Sequence, residues 1–268
     1  MYNSINLSTM ISISNLKKIF GTQTAVDIKS FTVNDGDVLG LVGNNGAGKT
    51  TLFRLILDLL KADDGHVEMT FNNQDTTEGQ DADGSLASTP YENTPSPAIN
   101  PAESEEWKKL TGAYIDEGFL IDFLTPEEYF YFIGKVSGIS KEEVDQRLTI
   151  YEHFMNGEVL GQKKLIRDLS AGNKQKVGIV AAMLHRPQLL ILDEPFNFLD
   201  PTSQNVLKHL LTDYNRETHA TILISSHNLA HTIDISPRIA LLEHGIIIRD
   251  LENQDRSAEK ELEDYFNT

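Results

Sequence analysis

Val38-Leu-Gly-Leu-Val-Gly-Asn-Asn-Gly-Ala-Gly-Lys-Thr50 is the stretch on which the reading of this chain turns. Its first five residues are apolar or glycine, as in a strand buried on both faces. Gly43-Asn-Asn-Gly-Ala-Gly-Lys-Thr50 then fits G-x-x-x-x-G-K-[ST], the phosphate loop. Its glycines let backbone N–H groups converge on phosphate oxygens. The helix that follows adds the positive end of its dipole. That helix is expected over 49–60, with Leu52, Leu55, Ile56, Leu59 and Leu60 on one stripe. Gly43, Asn44, Asn45, Gly46, Ala47, Gly48 and Thr51 are the candidate phosphate cradle. Lys49 would reach the β and γ phosphates, and Thr50 would offer a hydroxyl to Mg²⁺. By itself the loop says only nucleotide phosphate, so kinases, GTPases and ATPases remain open.

A second site lies downstream. Leu189-Leu-Ile-Leu-Asp-Glu-Pro195 places two acids at the end of a buried strand. Carboxylates there are costly unless they have work to do. Asp193 is the candidate holder of Mg²⁺. Glu194 is the candidate general base beside the γ phosphate. The plainer reading is a pair of acids capping the next turn, but the phosphate loop in the same chain shifts the reading from binding toward hydrolysis.

The rest of the chain alternates strands and helices. Strand patterns occupy 11–16, 24–33, 38–42, 189–192, 221–225, 239–242 and 246–248, with a turn at His244-Gly245. Thr125-Pro-Glu-Glu128 is a capping box and Ser140-Lys-Glu-Glu143 repeats the signal, so 125–185 reads as mainly helical. A capped helix is expected over 200–214. This order implies an α/β fold with a mainly parallel sheet. Tyr129-Phe-Tyr-Phe132 point nearly all round a helix, so one packing face cannot bury all four. At least one of them is expected to meet a partner or a second subdomain, unless all pack inside.

Charge placement divides the chain. The 268 residues carry a net charge of −17 and no cysteine, which excludes disulfides and thiolate chemistry. Residues 62–107 hold eleven acids and no Lys or Arg, and 72–105 is polar and poor in large apolar residues. This stretch reads as a mobile acidic low-complexity insert, or else as a partner-binding arm. Residues 249–268 hold seven acids and three bases, an acidic tail. The acidic balance disfavours nucleic acid as the main partner. No apolar run approaches the length of a membrane helix, and residues 1–10 lack the basic start and apolar core of a secretion signal.

Leu169-Ser-Ala-Gly-Asn-Lys-Gln175 lies shortly before the acidic pair. With the two sites above, it closely resembles the ATP-binding cassette (ABC) family over about residues 10–248. That family reads L-S-G-G-Q at this place. Leu199-Asp200 resembles its D-loop and Ser226-His227 its switch histidine. Phe20, in Leu16-Lys-Lys-Ile-Phe-Gly21, resembles the aromatic that stacks on adenine. The resemblance implies a RecA-like P-loop NTPase core, an antiparallel β subdomain and an α-helical subdomain over about 118–185. It also implies ATP and Mg²⁺ as ligands. Ser170, Ala171 and Gly172 would contact the γ phosphate held by a second subunit in a head-to-tail dimer, and His227 would sense that phosphate. Simpler roles stay open: a loop histidine for His227, a core side chain for Phe20, a helix cap for Ser170 and for Asp200.

Three positions depart from the family pattern. Ala171 replaces a signature glycine and Asn173 a glutamine. Asp116, in Gly112-Ala-Tyr-Ile-Asp116-Glu117, stands where the family has glutamine, with Glu117 as the alternative register. Asp116 keeps an oxygen for Mg²⁺ but adds charge. The resemblance implies an ATPase subunit of a membrane transporter, peripheral on the cytoplasmic face, bound to a separate integral membrane protein and paired with a second cassette, a homodimer. The single cassette resembles bacterial ABC-2-type export ATPases more than importers. The alternatives are a cassette ATPase acting on nucleic acid or ribosomes, and a weakly hydrolysing nucleotide-sensing module.

Overall fold

The computed structural model describes residues 9–71 and 97–266. Two sheets meet across an apolar layer. The larger has six strands in the order β5 (Thr111–Tyr114), β6 (Leu189–Leu192), β7 (Thr221–Ser226), β3 (Val38–Val42), β8 (Arg238–Glu243) and β9 (Ile246–Glu252). The first five run parallel and β9 is antiparallel. The smaller sheet is antiparallel, with β1 (Thr9–Phe20) between β2 (Gln23–Asn34) and β4 (Asp64–Met69). The expected α/β core and antiparallel β subdomain are therefore both present.

Alternation along each strand decides what packs where. Leu189, Ile191 and Leu223 face one way, into a core shared with α1 (Lys49–Ile56) and the smaller sheet. Leu190, Leu192, Ile222 and Ile224 face the other way, against the helical side of the molecule. That side is built from α2 (Pro126–Val136), α3 (Lys141–Leu148), α4 (Glu152–Met155), α5 (Ala171–Met183) and α6 (Pro201–Thr218). Both the strands on which the site rests are thus covered on two faces, which fixes their ends against solvent.

Local signals act as expected at most helix starts. Thr125 and Glu128 form the reciprocal capping box of α2. Ser140 caps α3 through the Glu143 N–H. Two spans differ from expectation. Helix α1 stops at Ile56 because Asp58 takes a left-handed conformation (φ 49°). Residues 156–170 are largely a loop, because Asn156, Gly157, Gly161 and Lys163 all have positive φ. Of the four aromatics on α2, Tyr129 and Phe130 are buried and the Tyr131 hydroxyl donates to Asp145 at 2.7 Å, whereas Phe132 is exposed.

The expected mobile insert lies, for residues 72–96, outside the described residues. Structure has resumed by Ile99, whose backbone exchanges two hydrogen bonds with Met69. At the other end, residues 249–252 complete β9. Then α8 (Glu259–Phe266) docks by Leu262 beside α7 (Leu229–Ile235). No helix among the described residues is long and apolar enough to cross a membrane.

Candidate functional site

The C-terminal ends of the neighbouring strands β5, β6, β7 and β3 deliver Asp116, the Asp193–Glu194 pair, His227 and the phosphate loop to one edge of the sheet. Ligands bind at this edge of open α/β sheets. The register explains the juxtaposition. Tyr114 pairs with Leu192, and the Asp193 N–H donates to the Tyr114 carbonyl at 2.9 Å, so both strands end level. A cleft of about 390 Å³ opens there, lined by Thr50, Arg54, Asp116, Gln175, Asp193 and Glu194 among others.

The phosphate loop is shaped for backbone approach. Gly48 sits at φ 109°, and a Cβ there would fall 2.4 Å from the Ala25 carbonyl oxygen. A Cβ on Gly43 would fall 2.3 Å from that of Leu242. Gly46, also at positive φ, faces open space. Lys49 is 6% exposed, and its Nζ donates to the carbonyls of Gly43 (2.7 Å) and Asn44 (3.4 Å). A buried cation curled over exposed backbone donors, with a carboxylate for its only ion-pair partner among the described residues, suits an anionic ligand.

The acids are held in distinct ways. Thr50 Oγ1 donates to Asp193 Oδ2 at 2.5 Å, and the Ser225 hydroxyl donates to Asp193 Oδ1. Burial pushes the Asp193 carboxyl above the usual carboxylate range. The two hydroxyls pull it back down, and the Glu194 charge adds to the rise. Glu194 is at φ 49°, with its N–H on Ser225 Oγ at 2.9 Å and its carbonyl accepting from Gln175 Nε2 at 3.1 Å. Its Oε1 lies 3.5 Å from Lys49 Nζ, and its Oε2 lies 2.8 Å from His227 Nδ1. The structure therefore brings Lys49, Thr50, Asp193, Glu194 and His227 into one continuous contact set. Hydroxyl and carboxylate oxygens of this kind suit Mg²⁺. No group of three or more acidic or His side chains among the described residues forms a metal cage, so a metal here would share its coordination with phosphate oxygens.

Asp116, the expected third metal-facing oxygen donor, lines the cleft but has both oxygens engaged. Oδ2 accepts from Arg54 Nη2 at 2.9 Å and Oδ1 from the Gly118 N–H at 2.8 Å. The alternative, Glu117, pairs with Lys174 of α5 at 3.2 Å. Ser170 caps α5 through the Asn173 N–H, and Ala171 borders the same cleft. Gly172 packs against the Phe198 carbonyl, which a Cβ would approach to 2.6 Å. Asp200 caps α6 by accepting from Thr202 and Ser203, and those bonds hold its carboxyl below the usual range. Phe20 is 51% exposed at the end of β1, which removes the core reading of that aromatic. Ser225, Gln175 and Arg54 escaped the sequence reading because each is distant in sequence from the acid it supports and meets it only in the fold.

A phosphate loop between a buried strand and a helix, faced by an Asp-Glu pair at the end of the strand two places away in the same sheet, defines a P-loop nucleoside triphosphatase. The comparisons narrow the class. A family model described as ABC transporter matches residues 26–197. The bacitracin transport ATP-binding protein BcrA of Bacillus licheniformis is 32% identical over 246 residues, 91% of this chain and 70% of that protein. The tungstate uptake system ATP-binding protein TupC of Peptoclostridium acidaminophilum is 30% identical over 235 residues, 88% of this chain and 95% of that one. A structure described as the ATP binding subunit of an ABC transporter superposes with a TM-score of 0.76 at 25% identity, covering 97% of this chain and all of the other. This chain belongs to the ABC transporter family, as an ATP-binding subunit that hydrolyses ATP with Mg²⁺.

Proposed function

We propose that two copies of this chain form the ATP-driven engine of a membrane exporter, docked at the cytoplasmic face on a separate integral membrane protein. The observation that carries the hydrolytic part is Glu194, held between His227 at 2.8 Å and Lys49 at 3.5 Å. In this reading Lys49 exchanges its loop carbonyls for the β and γ phosphate oxygens, and Phe20 stacks on adenine. Glu194 takes the proton of the attacking water. His227 orients the Glu194 carboxylate and senses the γ phosphate. Thr50 and Asp193 would hold Mg²⁺, which when bound neutralises phosphate charge. Ser170, Ala171 and Gly172 complete the site of the other copy, with Asp200 beside them. Residues 10–248 form the cassette around the helical subdomain of 118–185. The insert of 72–105 interrupts it, and the tail of 249–268 adds the last residues of β9 and helix α8 to its edge.

Export rests on the resemblance of the single cassette to ABC-2-type ATPases. Relatives at about the same identity are named for bacitracin transport and for tungstate uptake. Exposed Phe132 on α2 is available to a partner. Pull-down of the tagged chain from detergent-extracted membranes is expected to retain an integral membrane protein. Retention of ribosomes or RNA instead would sink the transporter assignment. ATP-driven accumulation of cargo inside inverted vesicles supports export, and ATP-driven loss supports import.

A further inference from the structure

The edge that receives ATP carries four acids on two adjacent strand ends: Asp116 and Glu117 after β5, Asp193 and Glu194 after β6. Polyphosphate is itself strongly anionic, so each acid left unbalanced there opposes binding. The structure gives each one its own partners. Hydroxyls of Thr50 and Ser225 hold Asp193, Lys49 and His227 hold Glu194, and Lys174 holds Glu117. Asp116 has the Gly118 N–H on one oxygen and takes its charged partner, Arg54, on the other. Arg54 lies one helical turn beyond Thr50 on α1, so both look into the cleft. Its Nη2 lies 2.9 Å from Asp116 Oδ2, and Asp116 is its only charged partner among the described residues.

We propose that Arg54 is a positioning residue for ATP binding that acts through Asp116. It cancels the charge of the acid standing where the family has a neutral glutamine. Glutamine at 116 would need no counterion; aspartate does. When Lys49 turns to phosphate it can no longer screen the neighbouring acids, and Arg54 is then the cation left on the cleft wall. Asp116 thereby serves as one half of an ion pair and not as a metal ligand. The inference rests on the ATP-site reading above.

The test is a double-mutant cycle on the full chain, with Mg²⁺-ATP binding measured by calorimetry at 50 mM and 500 mM salt. Arg54→Gln is expected to weaken binding about five- to tenfold at low salt, and markedly less at high salt. Arg54→Gln with Asp116→Asn is expected to return to within about twofold of the wild type. Removing the second partner rescues an electrostatic defect but cannot rescue a lost strut. The reversed pair, Arg54→Asp with Asp116→Arg, is expected to bind, and it covers the case in which Arg54→Gln fails to fold. Arg54→Gln binding as tightly as the wild type, or a double variant as weak as Arg54→Gln, overturns the proposal. Failure of the wild type to bind ATP would instead sink the site assignment, and this inference with it.

Discussion

Glu194→Gln separates what Glu194 does in the chemistry from what it does to Lys49. Glutamine is isosteric and tolerates φ 49° as well as glutamate does, so the backbone is unchanged. The amide cannot accept the proton of water. Loss of a general base costs about 10²- to 10⁴-fold in rate, or about 3–5 kcal/mol of barrier. The second effect has the opposite sign. In the ligand-free chain Lys49 Nζ is shared among the Gly43 carbonyl (2.7 Å), the Asn44 carbonyl (3.4 Å) and Glu194 Oε1 (3.5 Å). Removing the anionic partner leaves the buried lysine two carbonyls and the glutamine amide oxygen, so the ligand-free chain is expected to lose stability. It also removes a competitor of the phosphate, so apparent ATP affinity rises about two- to tenfold. Phosphate release at saturating Mg²⁺-ATP and calorimetric binding are the two assays. A kcat within tenfold of the wild type would remove Glu194 from the base role. A variant that binds ATP more weakly would show that the Lys49–Glu194 contact is no competitor.

Three further outcomes follow from the same geometry. Burial holds the Asp193 carboxyl above its ordinary value, so the folded chain binds this proton more readily than the unfolded one. Ligand-free stability therefore falls as pH rises from about 4 through the raised value, and Asp193→Asn is expected to melt higher than the wild type at pH 7.5 while losing Mg²⁺-dependent turnover. An unchanged or lower melting temperature would contradict the burial argument. Phe198 sits at φ 63° with its side chain 72% exposed, so Phe198→Gly is expected to stabilise the isolated chain by about 1 kcal/mol in chemical denaturation. Deleting residues 76–96 is expected to spare ATP binding. Extending the deletion to 104 removes Ile99 from Met69 and is expected to lower the melting temperature.

Much of the nucleotide edge was legible because its residues face a ligand whose chemistry dictates them. A polyphosphate demands converging N–H groups, a cation and a hydroxyl in a row, and Gly43 to Thr50 supply these within one loop. The apolar run of β6 announced itself because it is buried on both faces. Strands β4 and β5 did not. Asp-Gly-His-Val-Glu-Met is polar because β4 covers only one face, and Thr111–Tyr114 is four residues long. What makes β5 possible is tertiary: Gly112 lets the Ala182 carbonyl of α5 approach to within 1.9 Å of where a Cβ would stand. No local pattern encodes that contact.

The groups that stayed hidden share one property, which is that their partners are other protein groups. Ser225 is the penultimate residue of β7, one strand away from the acids it holds, and its place opposite Asp193 and Glu194 follows from the parallel pairing of β6 with β7. Gln175 reaches the Glu194 carbonyl only because α5 packs over the end of β6. Arg54 reads as an ordinary solvated arginine until the loop after β5 brings Asp116 beside it. The motif says where phosphate goes, and the fold says which charges must be cancelled for it to arrive. Because Asp116 is an acid in this chain, the cancelling residue had to come from the nearest element with a free face, and α1 offers one a single turn beyond Thr50. A chain with glutamine at this position should tolerate any side chain at 54, whereas this one should tolerate only a cation, and Arg54→Lys is expected to keep most of the ATP affinity that Arg54→Gln loses.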